Sequence, residues 1–111
     1  MQSELQAFKA EFFRALAHPV RIGILEALGA GERTVQELQT ALGLDQPLVS
    51  QPLAVLRRKN VVTPRKVGTT VRYALADPLI AALLKTAREI FNHQLTGTQT
   101  MLRALQKERR R

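Results

Sequence analysis

Apolar residues recur every three or four positions along most of the chain, in runs that stop at prolines, glycines and residues able to cap a helix. Leu5, Phe8, Phe12 and Leu16 predict a first helix that begins at Ser3, where Ser3 and Gln6 have capping-box spacing, and ends near Ala17. His18-Pro19 restarts the chain. Pro19 suits the first position of a second helix, Val20, Ile24, Leu25 and Leu28 give its stripe, and the glycines of GAGE end it. Thr34 and Glu37 form another capping box before Val35, Leu38 and Leu42, with Gly43 as the stop of a short third helix.

The fourth segment, LDQPLVSQPLAVLRRKN, has a helical pattern and two prolines. Val49, Leu53 and Leu56 share one side at about 100° per residue, with Pro47, Gln51, Ala54 and Arg58 roughly opposite and Ser50 and Arg57 on the flank. Pro47 is acceptable as the first helical residue after an extended Gln46. Pro52 removes the donor that would bond the Leu48 carbonyl and costs about 3 kcal/mol in a straight helix. The helix is therefore either long and bent at Pro52 or short and starting near Ser50. The longer form is favoured because it keeps Val49 on the apolar side.

Beyond residue 60 the period changes to two. Val61 to Lys66 and Thr70 to Leu75 flank VGT, and Val71, Tyr73 and Leu75 alternate with Thr70, Arg72 and Ala74, which predicts a hairpin with one buried face. Asp77 as N-cap and Pro78 as first residue open a last helix bearing Leu79, Leu83, Ala87, Ile90 and Leu95, which TGTQT at 96–100 is expected to fray or break. The fold class is mainly α with a small β-hairpin. Its order, four helices, a two-stranded wing and a closing helix, describes a winged helix-turn-helix in one domain over residues 1–111, with a basic tail at 106–111.

Charge locates the working surface. Seventeen basic residues against nine acidic give +8, a balance that favours polyanionic partners. No acid occurs between Asp45 and Asp77, whereas Arg57, Arg58, Lys59, Arg65, Lys66 and Arg72 fall inside that stretch. There is no cysteine, which removes disulfides and thiolate metal sites and agrees with a cytoplasmic protein. No apolar run approaches membrane-spanning length and no signal-peptide layout is seen, so no membrane partner is expected. Enzymatic function is not expected: no histidine pairs with a nucleophile, and no carboxylate dyad shares a site.

The ordered pieces FFRALAHPVRIGILEAL, TVQELQTALGLDQPLVSQPLAVLRRKNVV and GTTVRYAL resemble the ArsR/SmtB family of winged-helix repressors over about residues 5 to 95. The resemblance implies a homodimer that binds a pseudo-palindromic double-stranded DNA operator and is released by an inducer. In that family the position of Pro52 often carries a side chain that touches DNA. Proline offers no donor, so base reading here is expected to fall on Gln51 and Ser50.

The residues themselves support this interface. A helix N-terminal portion reaches base edges in the major groove, so Gln46, Ser50 and Gln51 are candidates for base reading, while Arg57, Arg58 and Lys59 suit phosphates. Lys66, Thr69, Thr70 and Arg72 lie at the wing tip or on its open face, ready for the backbone or a minor groove. Thr34 and Gln36 could hold a phosphate at the third helix N-terminus. For each residue the alternative is an ordinary solvated side chain.

The apolar stripes of the first and last helices exceed what a small core can cover, which points to dimerisation through Leu5, Phe8, Phe12, Leu79, Leu83, Ile90 and Phe91. Glu89 and His93 are four apart and two such pairs could meet across a dimer, but a solvated rim accounts for them better. No metal and no cofactor is expected, and the inducer is left open. Two other readings stay open: an interaction module such as an antitoxin or adaptor without base reading, and membrane-surface association through the basic last helix.

Overall fold

A computed structural model describes residues 2–109 as α1 (Gln2–Leu16), α2 (Pro19–Gly29), α3 (Val35–Leu42), α4 (Gln46–Arg58), β1 (Val62–Val67), β2 (Thr70–Leu75) and α5 (Leu79–Arg109). The winged helix-turn-helix order read from the sequence is the observed one. The chain forms two compact units, Met1–Ala81 and Ala82–Arg111.

The core of the first unit is made by the predicted stripes. Ile24 and Leu25 of α2, Leu38 of α3, and Val49, Leu53 and Leu56 of α4 are all fully buried, together with Val61 and Val62 where the chain leaves α4. Gly23 permits the close approach of α2 and α3: an added Cβ would lie 3.0 Å from Leu42 Cδ2.

Local chemistry sets the helix ends. His18 is the N-cap of α2, its Nδ1 accepting from the Val20 amide at 3.2 Å, with Pro19 in the first turn. Thr34 and Glu37 form the expected reciprocal capping box, each bond 3.1 Å long. At the other end of the helix-turn-helix, α4 ends at Arg58 with Lys59 as its C-cap, and Asn60 beyond it takes a positive φ of 59°. The Val61 amide donates to the Leu56 carbonyl at 2.9 Å and the Asn60 amide to the Arg57 carbonyl at 3.0 Å. This is the Schellman arrangement, with asparagine in the left-handed position and both Leu56 and Val61 buried.

Three boundaries differ from the sequence reading. Helix α1 is already under way at Gln2, so Ser3 lies inside it and does not cap it. The N-cap of α4 is Asp45, which places Gln46 within the helix and Pro47 one position later than expected. Helix α5 begins at Leu79, with the Asp77 carboxylate accepting from the Leu79 amide at 2.9 Å. Helix α5 also runs unbroken through TGTQT. The Thr98 and Thr100 hydroxyls donate to the carbonyls of Gln94 and Thr96 at 3.0 Å each, and a lone helical glycine costs only about 1 kcal/mol. The tail is helical as far as Arg109, and the remainder of 106–111 lies outside the described residues.

The hairpin pairs Val62 with Leu75 through Val67 with Thr70. Gly68 has φ +64° and Thr69 does not share a positive φ, the pattern of a two-residue type II′ turn. Pro64 pairs with Tyr73, whose amide and carbonyl both turn away to bond Arg33 at 2.8 and 3.0 Å. The strand therefore needs no donor at Pro64, which explains a proline in a strand interior.

Candidate nucleic-acid interface

The sequence-predicted residues of the first unit gather around α4, the start of α3 and the wing. Helix α4 buries Val49, Leu53 and Leu56 and leaves Pro47, Gln51, Ala54 and Arg58 exposed, as the periodicity required. Pro52 sits inside a 13-residue helix, so the longer form is the observed one. The cost of the missing donor is eased by position: Pro52 is half-buried, but Leu48, whose carbonyl it leaves without a donor, is exposed, so that carbonyl can be solvated.

Gln46 and Ser50 are one turn apart, and the Gln46 Nε2 donates to the Ser50 hydroxyl at 3.2 Å. The pair thus holds one side chain against the other and leaves the Gln46 amide oxygen free. Gln51 makes no side-chain hydrogen bond among the described residues and faces a shallow cleft of about 350 Å³ that also includes His18, Arg21, Pro47 and Pro52. Arg57, Arg58 and Lys59 close α4, exposed to solvent, where cations also suit the negative end of the helix dipole.

A second cleft, about 400 Å³, lies between the start of α3 and the wing tip and brings together Thr34, Gln36, Thr69 and Thr70. Distant in sequence, these four were each assigned to DNA, and the fold puts them on one surface. Thr34 Oγ1 already accepts from the Glu37 amide, yet its hydroxyl hydrogen remains available to an anion. Lys66 lies exposed on the same wing.

Arg72 is employed differently from the sequence expectation. It is half-buried and lies among acids that the sequence reading did not place near the wing: its Nη1 is 3.2 Å from Glu37, its Nε is 3.8 Å from the Glu32 carboxylate, and its Nη2 donates to the Glu32 carbonyl at 3.1 Å. Arg65 donates to the two oxygens of Glu32 at 2.9 and 2.6 Å. The acid-free stretch is acid-free only along the chain. The signal for this contact was weak in one dimension, since Glu32 is separated by 33 and 40 residues from its partners.

These contacts set a pH response. The hydrogen bonds from Arg65 hold the Glu32 carboxyl below its ordinary value, and the backbone bond from Thr34 does the same for Glu37, with nearby arginines adding to both. A depressed carboxylate pKa stabilises the fold fully above the unfolded value, 4.5 for each, and that stability disappears as pH falls through the lower folded values. Thermal midpoints should therefore drop below about pH 4.5 more steeply for the native protein than for a Glu32→Gln, Glu37→Gln double variant. Parallel curves for the two proteins would contradict this.

The residues expected at a dimer contact are largely open in the single chain. In the first unit Leu5, Phe8 and Leu79 are exposed and Phe12 is half-buried, while in the second Ile90 and Phe91 are exposed and Leu83 is half-buried. Phe13, not among the expected residues, is exposed as well and packs edge-to-face on Phe12 at 5.6 Å. Among the described residues no three His, Asp or Glu side chains come together as metal ligands, and no helix is long and apolar enough to cross a membrane.

Comparison with known proteins agrees with this geometry. The helix-turn-helix domain model matches residues 16–65. Over 107 residues the chain is 45% identical to Rv0081, an uncharacterized HTH-type transcriptional regulator of Mycobacterium tuberculosis (strain ATCC 25618 / H37Rv), covering 95% of this chain and 94% of the relative. The crystal structure of Rv0081 matches with a TM-score of 0.77 over 85% of this chain and 95% of that one. The HTH-type transcriptional repressor SmtB of the same strain is 47% identical over 77 residues, 69% of this chain and 57% of SmtB. The solution structure of the homodimeric winged helix-turn-helix DNA-binding domain of Mb0332 from Mycobacterium bovis, a possible ArsR-family regulator, is 30% identical with a TM-score of 0.75, over 85% of this chain and 87% of that one. With a relative of this identity over nearly its whole length, and with four helices, a wing and a closing helix in the same order, the chain belongs to the ArsR/SmtB family of winged helix-turn-helix transcriptional regulators, which are DNA-binding proteins and not enzymes.

Proposed function

We propose that the protein is a homodimeric repressor that seats α4 in the major groove of each half of a pseudo-palindromic operator. The observation that carries this reading is the division of α4 into a buried side, Val49, Leu53 and Leu56, and an open side that presents Gln46 at its start, Gln51 in its first half and Arg57 and Arg58 at its end. A helix so placed reads bases with its N-terminal residues and grips phosphates with its last turn. Gln51, Ser50 and Gln46 are the base readers. Thr34, Gln36, Thr69, Thr70 and Lys66 follow the backbone on the wing side of the helix, and Arg72 braces the wing.

Dimerisation supplies the second half-site. Exposed Leu5 and Phe8 on α1 and Ile90 and Phe91 on α5 are apolar surface that association would cover, and Mb0332, a relative of the same fold, is homodimeric. Two recognition helices would then address sites about 34 to 36 Å apart, one turn of the duplex. A footprint on the DNA upstream of the protein's own gene tests this: protection of two half-sites with that spacing is expected, and a single or unlocalised footprint would rule it out.

Separate roles on α4 give separate phenotypes. Gln51→Ala should relax preference at one base position of each half-site by about 1 to 3 kcal/mol, whereas Arg58→Ala should weaken all duplexes to a similar degree. Binding measured across a set of single-base operator variants distinguishes them. If Gln51→Ala lowers every affinity equally, base reading is not its role.

A further inference from the structure

Arg65 and Arg72 stand directly opposite each other on the two strands of the wing, a placement in which like charges repel. Glu32, on the loop between α2 and α3, lies against both. Arg65 grips it through Nε and Nη2, to separate carboxylate oxygens at 2.9 and 2.6 Å, and Arg72 reaches its carbonyl at 3.1 Å and its carboxylate at 3.8 Å. Glu37 adds a second anion to Arg72 at 3.2 Å. A guanidinium fork binds carboxylate and phosphate with the same two-pronged geometry, so Glu32 occupies on Arg65 the place a DNA phosphate would take. Arg65 is nevertheless 62% exposed, open to solvent and so to a duplex lying on the wing.

Resting on the DNA-binding reading above, we propose that Glu32 is an internal counter-anion that withholds Arg65 from phosphates and so sets how strongly the wing grips DNA, while Arg72 stays with Glu37 and the Glu32 carbonyl. Nonspecific affinity is almost wholly electrostatic, whereas discrimination comes from base contacts. Silencing a wing cation therefore weakens the sequence-independent grip while leaving the contribution of α4 intact. Were Glu32 merely a brace for the wing, its loss would weaken binding to every duplex. As a counter-anion its loss strengthens binding to random duplex, and the two roles thus differ in sign.

Fluorescence anisotropy with a random-sequence duplex and with the footprinted operator, at several salt concentrations, tests this on the native protein and on Glu32→Gln. Each phosphate newly contacted steepens the slope of log K against log salt by about 0.9. One freed arginine, Arg65, should steepen it by about 0.9, because Arg72 keeps Glu37 and the Glu32 carbonyl; Glu32→Gln then loses roughly threefold more affinity than the native protein between 50 and 200 mM salt, as follows from the same relation. At the lower salt it should bind both the random duplex and the operator more tightly than the native protein. Adding Arg65→Gln to Glu32→Gln should restore the native slope. Arg65→Gln alone, which does not depend on Glu32→Gln folding, should leave the native slope nearly unchanged because that arginine is already silenced. An unchanged slope in Glu32→Gln, weaker binding to both duplexes, or a shallower slope in Arg65→Gln alone overturns the role of Glu32 and leaves the DNA-binding reading standing. Failure of the native protein to bind any duplex overturns both.

Discussion

Phe91→Asp is expected to leave the protein monomeric and to lower its affinity for a duplex carrying both half-sites by about 100-fold or more, because linked sites gain roughly 10²- to 10⁴-fold over single ones. Phe91 is 58% exposed in the single chain, beside Ile90 at 51%, so the charge does not disturb the monomer. In an apolar dimer contact, by contrast, an unpaired carboxylate must be desolvated, and the dimer gives way. Affinity for a duplex with a single half-site should change little. Sedimentation and anisotropy on the two duplexes read both effects. A variant that still sediments as a dimer would place the dimer contact away from this stripe.

The second large effect lies in the core. Leu56→Ala should destabilise the fold by about 2 to 5 kcal/mol, the range for a leucine whose cavity the surroundings cannot fill. Leu56 is completely buried, and its carbonyl also accepts from Val61 in the turn that ends α4, so its neighbours on both sides are fixed. Urea unfolding followed by circular dichroism measures it. A loss under about 0.5 kcal/mol, the usual limit for surface positions, would mean that α4 is not held to the core as described.

Local rules made most of the fold legible in the sequence. Thr34 and Glu37 specify a helix start through their own backbone, and Val49, Leu53 and Leu56 specify a buried side through spacing alone, so neither depends on distant residues. Ser3 misled for the same reason: it has the right partner spacing, but α1 is already formed when the chain reaches it. At Pro52 the burial of the Val49 side chain outweighs one lost hydrogen bond, and the spacing of the apolar residues shows it. The wing contact was not legible, because Glu32 meets Arg65 and Arg72 only after the hairpin folds back against the α2–α3 loop, through the paired backbone bonds of Arg33 and Tyr73. The same long-range step gathered Thr34, Gln36, Thr69 and Thr70 into one cleft. Their chemistry could be read singly, and their meeting could not.

The most direct measurement is the affinity of the purified protein for its footprinted operator and for a scrambled duplex of the same length and composition, at two stated salt concentrations. A dimer that reads bases through α4 binds the operator at least about 10³-fold more tightly, with affinity for both duplexes falling as salt rises. Equal affinity for the two, or no binding to either, would contradict the assignment of this surface to sequence-specific DNA recognition.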